Sequence, residues 1–438
     1  MKVGFIGLGC EKNMINTEQM IYKVRAAGHD IVARAEDADA VVINTCGFIE
    51  AAKKEAIETI MEMADLKKEG KIRKIILCGC LVERYKDSVS EQLPEADGFV
   101  GVGSFDEIVS VLERVEQDVR VESYGELCAL PLEGERVRTG YPFSAYLKIA
   151  DGCNNRCAYC AIPAIRGAYR SRTIESICAE AAQMASEGVK ELILIAQDTT
   201  NYGIDLYGER RLCDLLRELV KIEGIRWIRL LYLYPDKITD ELLSLMADEK
   251  KILHYIEMPI QHSEAYVLKK MHRPGNRSDL TALLDKIRKV MPDAVIRTTL
   301  IAGFPGERAE DFEGLCDFVR TAQFDRLGVF PYSREEGTPA FDAPEQVPEE
   351  EKVRRAEIIE DIQSEVAYQK LSAAVGTEKE VLVEGYDRLA ECWFGRSYGE
   401  APDIDGKIFF TGKNLRAGQF VQVKIEDLLD FDLIGEVM

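Results

Sequence analysis

No stretch of this 438-residue chain comes near the roughly 20 consecutive apolar residues that a membrane span requires, so none is expected. No secretory leader is expected either. The opening MKVGFIGLGC holds one lysine and a short apolar run broken by glycine, with charges following at once, and reads as a buried strand. Histidine is scarce, four in all, and His29, His254 and His272 fall in no pattern. Positive charge is in deficit: 56 Lys and Arg face 77 Asp and Glu, a net of -21. That disfavours nonspecific nucleic-acid binding, although a local basic patch stays open, and it suits a strongly basic partner. Cysteine is not in short supply. Twelve of them without a leader argue against a disulfide framework and for reduced thiols in a cytoplasmic protein.

Three of the twelve lie together, as Cys153, Cys157 and Cys160 in the stretch CNNRCAYC. This C-x3-C-x2-C spacing fits one tight loop and lets three thiolates meet one metal centre. On a [4Fe-4S] cube, three protein thiolates leave one iron free for an exchangeable ligand, unlike the four-thiolate clusters of electron carriers. Chance clustering, or part of a zinc site, is the plain alternative. The spacing resembles the signature of the radical S-adenosylmethionine (radical SAM) enzymes, in which the open iron chelates S-adenosylmethionine.

The length allows two or three domains, each with its own core. Residues 1–125 carry strand-like runs at 2–8, 40–44, 74–77 and 98–102. They alternate with helical stretches, clearest at 51–66 and 105–115, the pattern of an open parallel α/β sheet. Cys10, Cys46 and Cys80 each fall just past the end of a separate strand. In such a sheet the carboxyl ends share the ligand-binding edge, so these three could converge on a second cluster, again with one position open. The alternative is three small buried apolar residues, which is how Cys78 reads. Gly7-Leu8-Gly9 lacks the third glycine of a dinucleotide fingerprint, and a cysteine occupies the turn.

A linker rich in Pro, Gly, Glu and Arg covers 126–139, and Cys128 within it has no evident partner. In the central region, 140–371, a strand at 145–150 leads straight into the cysteine loop. Further strands are expected at 191–196, 227–231, 253–258, 295–301 and 326–330, with helical runs such as 174–186, 212–221 and 279–290 between them. Six units without a seventh or eighth suggest a partial (β/α)6 barrel, open on one side for a large substrate. Chemistry in such barrels sits at the carboxyl ends of the strands. Polar residues gather there: Gln197, Asp198, Thr199 and Thr200; Tyr232 and Tyr234; Gln261 and His262; and the run 332–337. His262 is expected to bond locally rather than to bind metal. In the turn Gly303-Phe304-Pro305-Gly306-Glu307 the glycines allow close backbone approach to a ligand, and Gly303 and Glu307 are assigned to cofactor binding. Arg297 is a candidate grip for the SAM carboxylate, against a plain ion pair. Tyr159 lies beside the adenine or simply packs the loop. The basic run RGAYRSR, from Arg166 to Arg172, faces a substrate backbone or caps the next helix.

One long helix at 348–374 leads into the last region, 372–438, where short strands and turns imply a small antiparallel β-barrel of five strands. Barrels of this size often bind RNA. From residue 371 onward, however, 7 Lys and Arg face 13 Asp and Glu, a net of -6, which favours a basic protein surface over phosphates. A purely stabilising role is the alternative.

Taken in order, the three blocks resemble the radical SAM methylthiotransferases: a cluster-binding N-terminal domain, a radical SAM barrel and a C-terminal TRAM domain. The likeness covers essentially the whole chain. It rests on GLGCEKNMINTE (7–18), VVINTCGFIEAAKKEAIETI (41–60), GCLVERY (79–85), YLKIADGCNNRCAYCAIPAIRGAYRSR (146–172), AQDTTNYGIDLY (196–207), MPIQH (258–262) and SREEGTPA (333–340). GFIEAA and LVERY favour the ribosomal-protein aspartate branch over the tRNA adenosine branch, which stands as the alternative. Glu11 replaces a common Pro and Asn16 a common Asp, and neither is a ligand position.

The resemblance implies two [4Fe-4S] clusters, an auxiliary one on Cys10, Cys46 and Cys80 and the SAM cluster on Cys153, Cys157 and Cys160. It also implies S-adenosylmethionine both as methyl donor and as radical source. The implied substrate is the β-carbon of one aspartate in the small-subunit ribosomal protein numbered twelve, with an electron-donor protein as second partner. That C–H bond is too weakly acidic for a side-chain base, so no side chain is assigned a catalytic role and the chemistry is left to the cofactors.

Overall fold

The computed structural model describes residues 1–129 and 132–438; Leu130 and Pro131, inside the expected linker, lie outside the described residues. Apolar runs buried on both faces make the first sheet. Its strands are β1 (Lys2–Gly7), β2 (Asp30–Val32), β3 (Ala40–Thr45), β4 (Lys74–Gly79), β5 (Gly98–Val100) and β6 (Val121–Ser123). They run parallel in the order β2-β1-β3-β4-β5-β6. β3 is buried at every position, as a central strand covered on both sides must be. Met20 and Val24 of the helix Glu11–Ala26 and Ile108 and Val111 of the helix Ile108–Glu116 pack on one face. Ala56 and Ile60 of the helix Glu50–Lys68 pack on the other. β2 and β6, three residues each, were too short to announce themselves by pattern. The order places β1, β3 and β4 side by side, so their carboxyl ends are neighbours.

The second sheet holds the six expected parallel strands, β7 (Ser144–Lys148), β10 (Glu191–Ile195), β11 (Trp227–Leu230), β12 (Ile252–Glu257), β13 (Val295–Ala302) and β14 (Arg326–Pro331), in the order β14-β13-β12-β11-β10-β7. β7 and β14 do not meet, so the barrel is open along one side. In β13, Ile296, Thr298, Leu300 and Ala302 are buried and alternate with less buried residues on the other face. A short antiparallel pair, β8 (Ala150–Asp151) with β9 (Arg170–Ser171), closes the base of the cysteine loop.

The concave side of this sheet is filled by the other two domains. Ile15 of the first domain and Leu382 and Ala401 of the last pack against Ile193, Leu231, Leu253 and Tyr255. Burying a side chain such as Ile15, 3% exposed, stabilises by about 2 kcal/mol, so these contacts are a true domain interface.

The helix Glu349–Ala374 packs on β14 and hands the chain to a closed barrel of β15 (Glu378–Asp387), β16 (Cys392–Arg396), β17 (Ile408–Thr411), β18 (Phe420–Leu429) and β19 (Asp432–Val437). One pairing departs from the expected antiparallel pattern: β17 and β19 run parallel. β18 supplies the crossover between them, which a parallel neighbour requires. Among the described residues no helix is long and apolar enough to cross a membrane.

Candidate functional site

One cysteine triad lies in the first domain and a second in the central domain. In the first, Cys10 precedes the helix Glu11–Ala26, Cys46 follows β3, and Cys80 opens the helix Cys80–Arg84 after β4. Gly9 has φ +87°, and a Cβ there would lie 2.7 Å from Cys46 Cβ. Gly79 has φ +96°, and a Cβ would lie 2.2 Å from Asn44 Oδ1. Only glycine allows both the left-handed turn and the close approach of the loops. Asn13 ties the edge together by donating to the carbonyls of Leu8 (2.7 Å) and Asn44 (3.3 Å).

Burial, and after it the neighbouring Cys80, pushes the Cys46 thiol up to about 11. Burial raises Cys80 as well, against the opposing charge of Arg166. Thiols that destabilise one another's thiolates give up their protons readily only to a metal, so the donor set fits a cluster. Among the described residues no three such groups close around a single ion.

The second triad sits on the loop between β8 and β9. Cys153 N–H donates to Gly167 O (3.1 Å), Ala158 N–H to Met271 O (3.0 Å), and Ala340 N–H to Ala158 O (2.8 Å), so the loop is held from three directions. Burial pushes Cys160 up to about 12; Cys157 and Cys153 act the same way, and a backbone hydrogen bond at Ile162 opposes. Tyr234 Oη lies 3.9 Å from Cys157 Sγ, and so does Arg273 Nη1, whose guanidinium stacks 4.3 Å over the Tyr234 ring. Asp198 accepts from Asn155 at 2.7 Å and pairs with Lys237.

The helix Ile162–Arg166 joins the two sites. It starts just after Cys160, and Arg166 at its end reaches Cys80 Sγ at 3.5 Å. The same guanidinium donates to Asn13 and Asn16 of the first domain and to Asp151 of the second. Nearby, the Lys12 amine stands 3.0 Å above the Tyr232 ring, whose hydroxyl donates to Glu11 at 2.9 Å.

The sequence comparisons agree with this arrangement. Residues 2–101 match the uncharacterized protein family UPF0004, 147–319 the radical SAM superfamily and 375–438 the TRAM domain. The chain is 46% identical over 446 residues to the ribosomal protein uS12 methylthiotransferase RimO of Acetivibrio thermocellus, covering 100% of this chain and 98% of that one. The corresponding protein of Pelotomaculum thermopropionicum is 47% identical, covering 100% and 99%. The chain belongs to the RimO family of radical SAM methylthiotransferases. As a RimO-family enzyme it uses S-adenosylmethionine and [4Fe-4S] chemistry. Its fold is shared by the radical S-adenosylmethionine methyltransferase TsrM of Kitasatospora setae, with a TM-score of 0.59 at 14% identity, covering 77% of this chain and 76% of that one.

Against this RimO-family frame the remaining assigned residues take their places. Tyr159 lies on the loop with its ring edge-on to Phe304, 6.4 Å between centroids. Glu307 Oε2 accepts from the N–H groups of Gly303 (2.9 Å) and Phe304 (3.2 Å), and Oε1 accepts from Arg355 (2.7 Å); its carboxylate holds the turn from behind. His262 Nδ1 accepts from the Glu264 N–H at 3.0 Å, the local bond expected of it. Arg297 stands near the amino end of β13, away from the cluster edge, with its guanidinium 2.7 Å from Asp405; this is the plain ion pair.

Two arginines of the basic run after the loop turn inward. Arg166 and Arg172 are buried and paired inside the protein, Arg172 with Glu180 and Ser176 of the next helix. Sequence reasoning missed Arg273 and Lys12. Arg273 comes from a loop more than a hundred residues beyond the cysteines, and no spacing rule connects them. Lys12 lay inside a quoted motif, and its adjacency to Cys10 was the available signal.

Proposed function

We propose that this enzyme adds a methylthio group to the β-carbon of an aspartate in ribosomal protein uS12, the small-subunit protein numbered twelve. Cys10, Cys46 and Cys80 would hold an auxiliary [4Fe-4S] cluster, and Cys153, Cys157 and Cys160 the cluster that binds S-adenosylmethionine. When bound, these groups supply hydrogen-atom abstraction and the transfer of sulfur and methyl. The residues of the chain supply geometry: the clamps on both loops fix the thiols, and Glu307 shapes the turn at the end of β13. Lys12, Glu11, Tyr232 and Glu257 cluster beside Cys10, and the Lys12 amine, lowered by burial and sustained by Glu11, is the group there suited to a substrate carboxylate. The observation that supports the reading is Arg166, six residues after Cys160, which reaches Cys80 Sγ, Asn13 and Asn16 of the first domain and Asp151 of the second. The acidic surface, net -21, favours encounter with a basic ribosomal protein, and a cytoplasmic setting with an electron-donor protein belongs to the same reading.

The test is anaerobic reconstitution with S-adenosylmethionine, sulfide and reductant, offering either uS12 or tRNA. Methylthio mass gain on uS12 is expected, with about eight irons per chain. Gain on tRNA alone overturns the substrate. Cys10→Ala should abolish methylthiolation while 5′-deoxyadenosine still forms from S-adenosylmethionine.

A further inference from the structure

Arg166 is 1% exposed, between the first domain and the central one. Its Nη2 lies 3.5 Å from Cys80 Sγ and 3.2 Å from Asn13 Oδ1. Its Nη1 lies 3.0 Å from both Asn16 Oδ1 and Asp151 Oδ2. Asp151 is itself fixed by Lys148 (3.1 Å), Gln197 (2.8 Å) and the Gly152 N–H (2.8 Å) at the base of the second cysteine loop. An arginine is suited to this post because its planar fork reaches four acceptors in two domains; an ammonium cannot. One of the four is a sulfur, and hydrogen bonds to ligand sulfurs are among the levers that set a cluster's reduction potential.

We propose that Arg166 is a positioning and tuning residue for the auxiliary cluster: by donating to the Cys80 sulfur it withdraws charge from that ligand and favours the reduced state. Resting on the assignment of Cys10, Cys46 and Cys80 as the auxiliary ligands, this deepens the proposed function. Reduction adds negative charge next to a buried fixed cation, where the effective dielectric is low and the interaction is strong. The remaining bonds of Arg166, to Asn13, Asn16 and Asp151, keep the guanidinium from turning away, so the effect is built into the domain interface. A helix of five residues carries it, beginning two residues after Cys160.

The experiment uses the full chain carrying Cys153→Ala, Cys157→Ala and Cys160→Ala, reconstituted anaerobically so that only the auxiliary cluster forms. Redox titration followed by visible absorption and electron paramagnetic resonance compares Arg166 with Arg166→Gln and Arg166→Lys. At a fixed applied potential the reduced-to-oxidised ratio should fall about tenfold in Arg166→Gln, equal to a drop of about 59 mV for one electron. Arg166→Lys, which keeps the charge without the fork, should fall between; if the Gln variant fails to load iron, the Lys variant is read by the same downward shift. Equal ratios in all loaded variants overturn the tuning role and leave the ligand assignment standing. Loss of iron from the parent with Arg166 intact overturns the ligand assignment, and the tuning role with it.

Discussion

Arg297 and Asp405 meet across 108 residues of sequence, at the end of the barrel away from the cysteines. Asp405, its side chain 1% exposed, also accepts from Tyr255 Oη (2.6 Å) and from the Ala401 N–H (2.8 Å). Removing the guanidinium leaves the buried carboxylate its hydrogen bonds and only the more distant counter-charge of Arg326, 3.9 Å away, a change that costs about 2 kcal/mol. Arg297→Ala should therefore lower the unfolding free energy from urea melts by about that much while leaving S-adenosylmethionine binding within twofold by calorimetry. A large loss of affinity with unchanged stability would restore the carboxylate-gripping role. The place of Cys10, Cys46 and Cys80 just past strand ends was legible, because local pattern reveals where a strand stops. An arginine's partner depends on which domain folds over the barrel mouth, and no local pattern carries that.

Between elements, the decisive contact is the buried group that fixes the C-terminal barrel to the central sheet. Glu191 of β10 takes Arg396 of β16 at 2.7 Å on one oxygen and Arg229 of β11 at 2.9 Å on the other, and Arg396 also holds Glu384 of β15 at 2.7 Å. Burial alone would raise the Glu191 carboxyl, but Arg396 and then Arg229 outweigh it and hold the group at about 2. A depressed carboxyl contributes stability that is full above its ordinary range near 4.5 and is lost as pH falls toward the folded value. Integrating that linkage, acidification from about pH 5 to about pH 3 should remove about 2 kcal/mol through this one group. Denaturant melts across that window should show a shallower slope in Glu191→Gln than in the parent; identical slopes would place the acid sensitivity elsewhere. Most of the elements were legible in the sequence, including the long helix, observed at Glu349–Ala374. The parallel pairing of β17 with β19 was not, because alternation marks a strand but says nothing of its neighbour's direction.

At the scale of the molecule, the proposed function requires the first domain and the barrel to hold a fixed separation, so that two centres serve one substrate atom. A latch on the rim does this. Arg84 Nη1 donates to Gly47 O (2.8 Å), beside Cys46, and to Glu335 Oε2 (2.7 Å) in the loop after β14, while Nη2 donates to Glu336 O (2.8 Å). Lys53 adds a second cation 3.2 Å from Glu335. The Arg84 and Glu335 side chains are 6% and 2% exposed, so solvent screens this pair far less than a surface pair. Glu335→Gln keeps the shape and removes the charge, and Arg84 still grips the Cys46 loop. Iron content and 5′-deoxyadenosine formation should then be unchanged, because each triad keeps its own clamps. What should fall is the coupling between them: methylthiolated product per 5′-deoxyadenosine drops on the order of tenfold, the effect of about 1.4 kcal/mol lost from orientation in the transition state. A ratio equal to the parent's, with full iron in both, would mean that the packing around Ile15 and the Arg166 bridge fix the separation without the rim.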